Sequence, residues 1–223
     1  MASEQDLPRN FGLLLYPGFE ALDAFGPMEV INDLSRTKDI TLSIIAETLS
    51  PVSTLLPGTH KVGQQILPTH TFTTAPTLDV LIIPGGWGAV DPAPGPELLT
   101  YLSTIGPKLP HLITVCNGST LPARVGLLDG KNATSNKALW KICTASSKKT
   151  NWIAKARWVR DGNVWTASGV SAGIDVMCAW VESVYGKELA DEAANTMEFV
   201  RAKGSGDDPF AGIYGCEDVL AMV

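Results

Sequence analysis

Short apolar runs alternate with longer amphipathic stretches along most of the chain, and that alternation predicts strands interleaved with helices. Phe11 to Tyr16 (FGLLLY) closes on Pro17-Gly18, which predicts a buried first strand ending in a turn. From Glu20 to Leu34, the apolar positions Leu22, Phe25, Met28, Val30, Ile31 and Leu34 recur at roughly helical spacing. Gly26-Pro27 is expected to bend or restart that helix, and the turn before it to project Asp23 near the strand end. Ile40 to Ala46 reads as a second strand, and the Thr- and Pro-rich stretch from Leu49 to Thr74 as short strands and loops.

Val80 to Ile83 (VLII) predicts a buried strand that runs into Pro84-Gly85-Gly86-Trp87-Gly88, with a helix from about Glu97 to Ile105 after it. Leu112 to Val115 is the next strand, then Cys116-Asn117-Gly118-Ser119, then a helix through Leu121 to Val125 that stops at Gly126. A helix near Lys137 to Ala145 follows, then a hairpin across Arg157 to Ala167 turning at Asp161-Gly162. Helices from Ser171 to Tyr185 and from Lys187 to Val200 complete the pattern. The order predicts an α/β fold with a mostly parallel sheet and helices on both faces.

Composition narrows the function classes. No Ser-rich, Pro-rich or charged linker divides the 223 residues, so one domain over residues 11–223 behind a flexible segment 1–10 is the expected organisation. With 45% hydrophobic and 18% charged residues and a net charge of -6, the chain offers no basic surface for nucleic acid. No apolar run reaches membrane-spanning length and the N-terminus lacks a signal-peptide core, so a cytoplasmic protein with no membrane partner is expected. Cys116, Cys143, Cys178 and Cys216 are scattered, with neither zinc-site spacing nor the density of a disulfide scaffold, and are read as reduced thiols. Cys143 and Cys178 sit in helical stretches and read as core.

The candidate chemistry centres on Cys116. A cysteine between a strand and a helix start is expected to expose its sulfur at a sharp turn, where the helix N-terminus favours the nucleophilic thiolate. Gly85-Gly86 lets backbone approach a ligand, and an amide there, together with the amide of Asn117, is a candidate oxyanion pocket. Asp23 follows the first strand, so in a parallel sheet it can meet Gly86 and Cys116 at the C-terminal edge. As a proton carrier it competes with the alternative of a simple helix cap, and with Glu20 nearby. Trp87 is expected to wall the pocket, whereas Trp152, Trp158, Trp165 and Trp180 read as core or interface. His60 and His70 fall in the irregular region and His111 opens its strand at the far end, so none suits a Cys-His dyad. Gly169-Val170-Ser171-Ala172-Gly173 reads as close backbone packing beside the site, with Ser171 as a helix cap.

The blocks YPGFEALDAFGPMEV, LDVLIIPGGWG, TVCNGS, GLLDGKNAT and VRDGNVWTASGVSAGIDVMCAWVE, in this order, resemble the ThiJ/PfpI superfamily and its isonitrile hydratase-like branch, over about Phe11 to Phe199. The resemblance implies a flavodoxin-like three-layer sandwich, a nucleophile elbow at Cys116, an acid at Asp23 and a homodimer bordering the site. It also implies hydration of an isonitrile to an N-substituted formamide through a thioimidate on Cys116, with a small-molecule substrate and no metal or organic cofactor. A glyoxalase-like or other hydrolytic enzyme of the superfamily is the first alternative, and a non-enzymatic cysteine redox sensor the second. The chain departs from the branch at Asn117, where Thr is usual, and at Asn136-Lys137, where a His-Trp pair is usual.

Overall fold

A computed structural model describes residues 7–56, 58, 61–90 and 95–222. His60 lies outside the described residues, as do residues 1–6 of the N-terminal segment. The strands are β1 (Asn10–Leu14), β2 (Thr41–Ala46), β3 (Val52–Ser53), β4 (Gln65–Ile66), β5 (His70–Thr71), β6 (Val80–Ile83), β7 (His111–Thr114), β8 (Asn132–Ala133), β9 (Asn151–Trp152), β10 (Trp158–Asp161) and β11 (Val164–Ala167). The helices are α1 (Ala21–Leu34), α2 (Pro96–Ile105), α3 (Thr120–Arg124), α4 (Trp140–Thr144), α5 (Ala172–Tyr185), α6 (Lys187–Thr196) and α7 (Phe210–Ile213).

Seven strands form the central sheet in the order β10-β11-β7-β6-β1-β2-β5. Every pairing in it is parallel except the β10–β11 hairpin. Central strands of such a sheet are covered on both faces, which is why β6 and β11 are buried at every position and β6 reads as a continuous apolar run. Helices α1, α5 and α6 pack together, while α2 packs with α3, completing the flavodoxin-like sandwich. The chain leaves β1 toward β2 and β5 and then returns to β6 on the other side. The switch point between β1 and β6 therefore opens a crevice beyond their C-terminal ends.

Several boundaries differ from the sequence expectation. Helix α1 runs unbroken through Gly26-Pro27. Its buried face (Ala24, Val30, Ile31) packs into the core, Gly26 lies against Ile174 of α5, and tertiary packing of this kind outweighs the missing proline N–H. Helix α4 begins only at Trp140, because residues before it turn to serve the site, and α6 ends at Thr196 rather than Val200. Trp152, Trp165 and Trp180 are buried; His111 packs edge-on against Trp180 at 5.3 Å, at the end of β7 away from Cys116. No helix of the described residues is long and apolar enough to cross a membrane.

Candidate active site

Backbone hydrogen bonds stitch the strand ends together. After β1, Glu20 N donates to Gly85 O (2.8 Å), Gly88 N donates to Gly18 O (3.2 Å), and the Tyr16 hydroxyl donates to Pro84 O (2.5 Å). After β7, Val115 N donates to Ile83 O (2.9 Å) and Cys116 N to Ser168 O (2.8 Å). Loops from β1, β6, β7 and β11 thus close on one point, and Cys116 occupies it.

Cys116 has φ of 59°, a left-handed conformation that costs a non-glycine residue energy and persists only where the surroundings impose it. Residues Cys116–Ser119 make a single tight turn into α3. Gly118 is required there, since a Cβ would stand 2.5 Å from Pro84 O and 2.7 Å from Ile83 O, both rigid backbone atoms. Behind the turn, the Ser135 hydroxyl donates to Cys116 O (3.1 Å) and receives a hydrogen bond from Ser119 (2.9 Å).

The elbow is as expected in shape, but the state of its sulfur is not. Cys116 is only 5% exposed, and burial followed by the neighbouring Asp23 raises its thiol well above the ordinary value. The amides of Val170 and Asn117 and the side chain of Asn136 oppose that rise. Asn136 Nδ2 stands 3.0 Å from Sγ, and its orientation is fixed because Asn136 Oδ1 accepts from Leu139 N (3.0 Å). The expectation of an exposed, helix-activated thiolate is therefore corrected. Two short turns cannot outweigh desolvation by the loops packed over the sulfur.

Asp23 lies within the first turn of α1, not in the turn before it, and makes no cap to its own helix. Its Oδ2 accepts from Gly85 N (2.8 Å), while Oδ1 is buried with no backbone or side-chain donor assigned to it. Burial pushes this carboxyl up to about 8; the Gly85 hydrogen bond and the Cys116 side chain pull down, and Glu20 pushes up. Near neutral pH Asp23 is thus a carboxylic acid beside a thiol.

Gly85 and Gly86 are brought to the site, but not as free oxyanion donors. Gly85 N is committed to Asp23, and Gly86 N donates to Asn117 Oδ1 (2.7 Å) while Asn117 Nδ2 donates back to Gly86 O (3.0 Å). The donors that surround the sulfur are instead the Asn117 and Val170 amides and Asn136 Nδ2. Trp87 follows the Gly85-Gly86 turn and is 41% exposed. Ser171 precedes α5 without capping it, and its hydroxyl receives Arg157 Nη2 (3.0 Å), whose Nε pairs with Asp175 (2.8 Å).

Val170 and Asn136 escaped selection as site residues. Val170 has φ of 28°, a strain that no residue pattern announces, and it turns its amide toward the sulfur. Asn136 did carry a signal, as the departure from the branch's histidine. Next to it, buried Lys137 donates to Thr134 Oγ1 (2.7 Å), Ser135 O (3.0 Å) and Ala156 O (3.1 Å), anchoring this loop. A larger apolar cavity of about 460 Å³ lies among Leu15, Ala46 and Phe72, and neither Cys116 nor Asp23 lines it.

Residues 11–183 match the model of the DJ-1/PfpI family. An isonitrile hydratase from Pseudomonas putida is 31% identical over 193 residues, spanning 86% of this chain and 79% of that one. The HTH-type transcriptional regulator GbdR from Pseudomonas aeruginosa is 26% identical over 208 residues, which are 90% of this chain but 53% of the regulator. The solved structure of a ThiJ/PfpI family protein from Pseudomonas syringae superposes with a TM-score of 0.74 at 28% identity, covering 92% of this chain and 86% of the other.

Proposed function

The chain belongs to the DJ-1/PfpI family, and from that premise we propose that it is a cysteine-dependent hydratase that adds water to an isonitrile. The observation that carries the reading is the buried pair: an elbow thiol beside a carboxyl held protonated near neutral pH, with one oxygen left unpaired.

An isonitrile carbon bears a lone pair and is also open to attack by a nucleophile, so it needs an acid and a nucleophile at one atom. Asp23 donates its proton to that carbon while the Cys116 sulfur bonds to it, and the thiol proton passes to the carboxylate just formed. The product is the thioimidate R–N=CH–S–Cys, with Asp23 protonated again. Water then adds to the same carbon, Asp23 moving a proton from the water to nitrogen. Collapse releases R–NH–CHO as the C–S bond breaks and the sulfur regains its proton. The sum is isonitrile plus water giving N-substituted formamide. The neutral starting pair suits a neutral substrate, because no ion need be desolvated to bind it.

The test incubates wild type, Cys116→Ala and Asp23→Asn with an aryl isonitrile and follows the N-formamide by chromatography. Formamide from wild type alone supports both roles; none from folded wild type rejects this substrate class. We also assign a homodimer bordering the site, on the ground that Leu22 and Phe25 beside Asp23 are 43% and 45% exposed on α1. Sedimentation at monomer mass would remove it.

A second reading, a cysteine redox sensor, draws on the donors around the sulfur, since amides converging on one atom suit an anion. Two equivalents of peroxide would take the thiol to a sulfinate, releasing two waters. Mass spectrometry showing no preference for Cys116 among the four cysteines would dismiss it.

A further inference from the structure

Next to Asn136 and Val170, a cleft of about 230 Å³ is lined also by Ser168, Gly169, Phe210 and Tyr214, among others. Cys116 itself does not line it; the link to the site runs through Asn136 and Val170, which wall the cleft and also face the Cys116 sulfur. Phe210 and Tyr214 belong to the C-terminal segment, beyond the residues the family model matches. Both rings remain largely open to solvent, at 41% and 55%.

That segment is fixed over the site. Asp208 accepts from Phe210 N (3.4 Å) and Ala211 N (3.1 Å), starting α7, and its Oδ2 lies 4.0 Å from the buried Lys137 Nζ. Cys216 Sγ donates to Lys137 O (3.4 Å) and Trp140 Nε1 donates to Glu217 O (2.9 Å). These contacts tie α7 to the same loop that aims Asn136 at the sulfur.

We propose that Phe210 and Tyr214 form the wall of a subsite for a ring-sized apolar substituent of the substrate, so that the C-terminal segment sets specificity. The proposal rests on the placement of the reacting carbon at Cys116 made above. Cavities of roughly 150 Å³ accept benzene, so a cleft of about 230 Å³ has room for one ring. Aromatic walls favour such a ring beyond the area they cover.

The experiment reads Cys116 alkylation by site-resolved mass spectrometry, with iodoacetamide and N-benzyl-iodoacetamide, and divides the rate ratio by that of free N-acetylcysteine. Wild type should favour the benzyl reagent by about five- to tenfold. The Phe210→Ala/Tyr214→Ala variant should lose that preference, and so should Ala138→Phe, which fills the cleft from its exposed rim. A wild-type ratio equal to that of free cysteine, or a preference kept in both variants, overturns the subsite. Formamide production with no benzyl preference would retire the subsite and leave the hydratase reading; benzyl preference with no formamide would do the reverse.

Discussion

Replacing Asp23 by Asn tests the protonation state on which the proposed chemistry depends. The amide keeps an oxygen to accept from Gly85 N, at the 2.8 Å separation Asp23 uses, and removes the titration, while its added N–H donors shift stability by an amount that does not depend on pH. The native carboxyl is raised from 3.8 to about 8, chiefly by burial. Between those values the unfolded chain has lost a proton that the native state keeps. The stability from this group is therefore full at low pH and is lost as pH rises through about 8. The slope is about 1.4 kcal/mol per pH unit, so wild type should lose about 3 kcal/mol relative to Asp23→Asn between about pH 5 and pH 7. Urea unfolding of both proteins across that range gives the difference directly, and titrations common to both cancel in it. The difference should flatten above about pH 8. A difference independent of pH from about 5 to 8 would show an ionised native Asp23 and end its role as the acid.

Other outcomes follow from the loop that carries Asn136. Asn136→Ala removes a donor 3.0 Å from Sγ, so the Cys116 thiol should rise further and its iodoacetamide labelling slow by about tenfold at fixed pH; an equal rate would mean the contact does not bear on the thiolate. Lys137→Met leaves Thr134 Oγ1, Ser135 O and Ala156 O without their buried donor and Asp208 without its cation. Unfolding by urea should show a loss of about 3–5 kcal/mol, with faster amide exchange in residues 208–217; a loss below about 1 kcal/mol would remove the anchor argument.

The parts of this protein legible in its residue order are those that depend on near neighbours. VLII and the apolar run before Cys116 read as buried strands because they are short and bounded by turn residues, and the two glycines after β6 and the one after Asn117 marked turns where backbone must pass closely. The elbow itself was readable, because a strand, a cysteine and a helix start are contiguous. The environment of the sulfur was not. Apart from the Asn117 amide, it is made by residues far away in the chain: Asp23, Asn136 and Val170 reach Cys116 only when the sheet and its loops close. A helix start favours a thiolate, but packing those loops over the sulfur removes the water that stabilises charge, and desolvation reverses the sign of the shift. The same closure commits the Gly85 and Gly86 amides to Asp23 and Asn117, and sets Phe210 and Tyr214 in one cleft with Asn136 and Val170. Apolar period and turn residues determined the architecture and the place of the elbow cysteine, because they act over a few residues. Tertiary structure decided its protonation and its donors, because burial and hydrogen-bond partnership belong to the assembled fold.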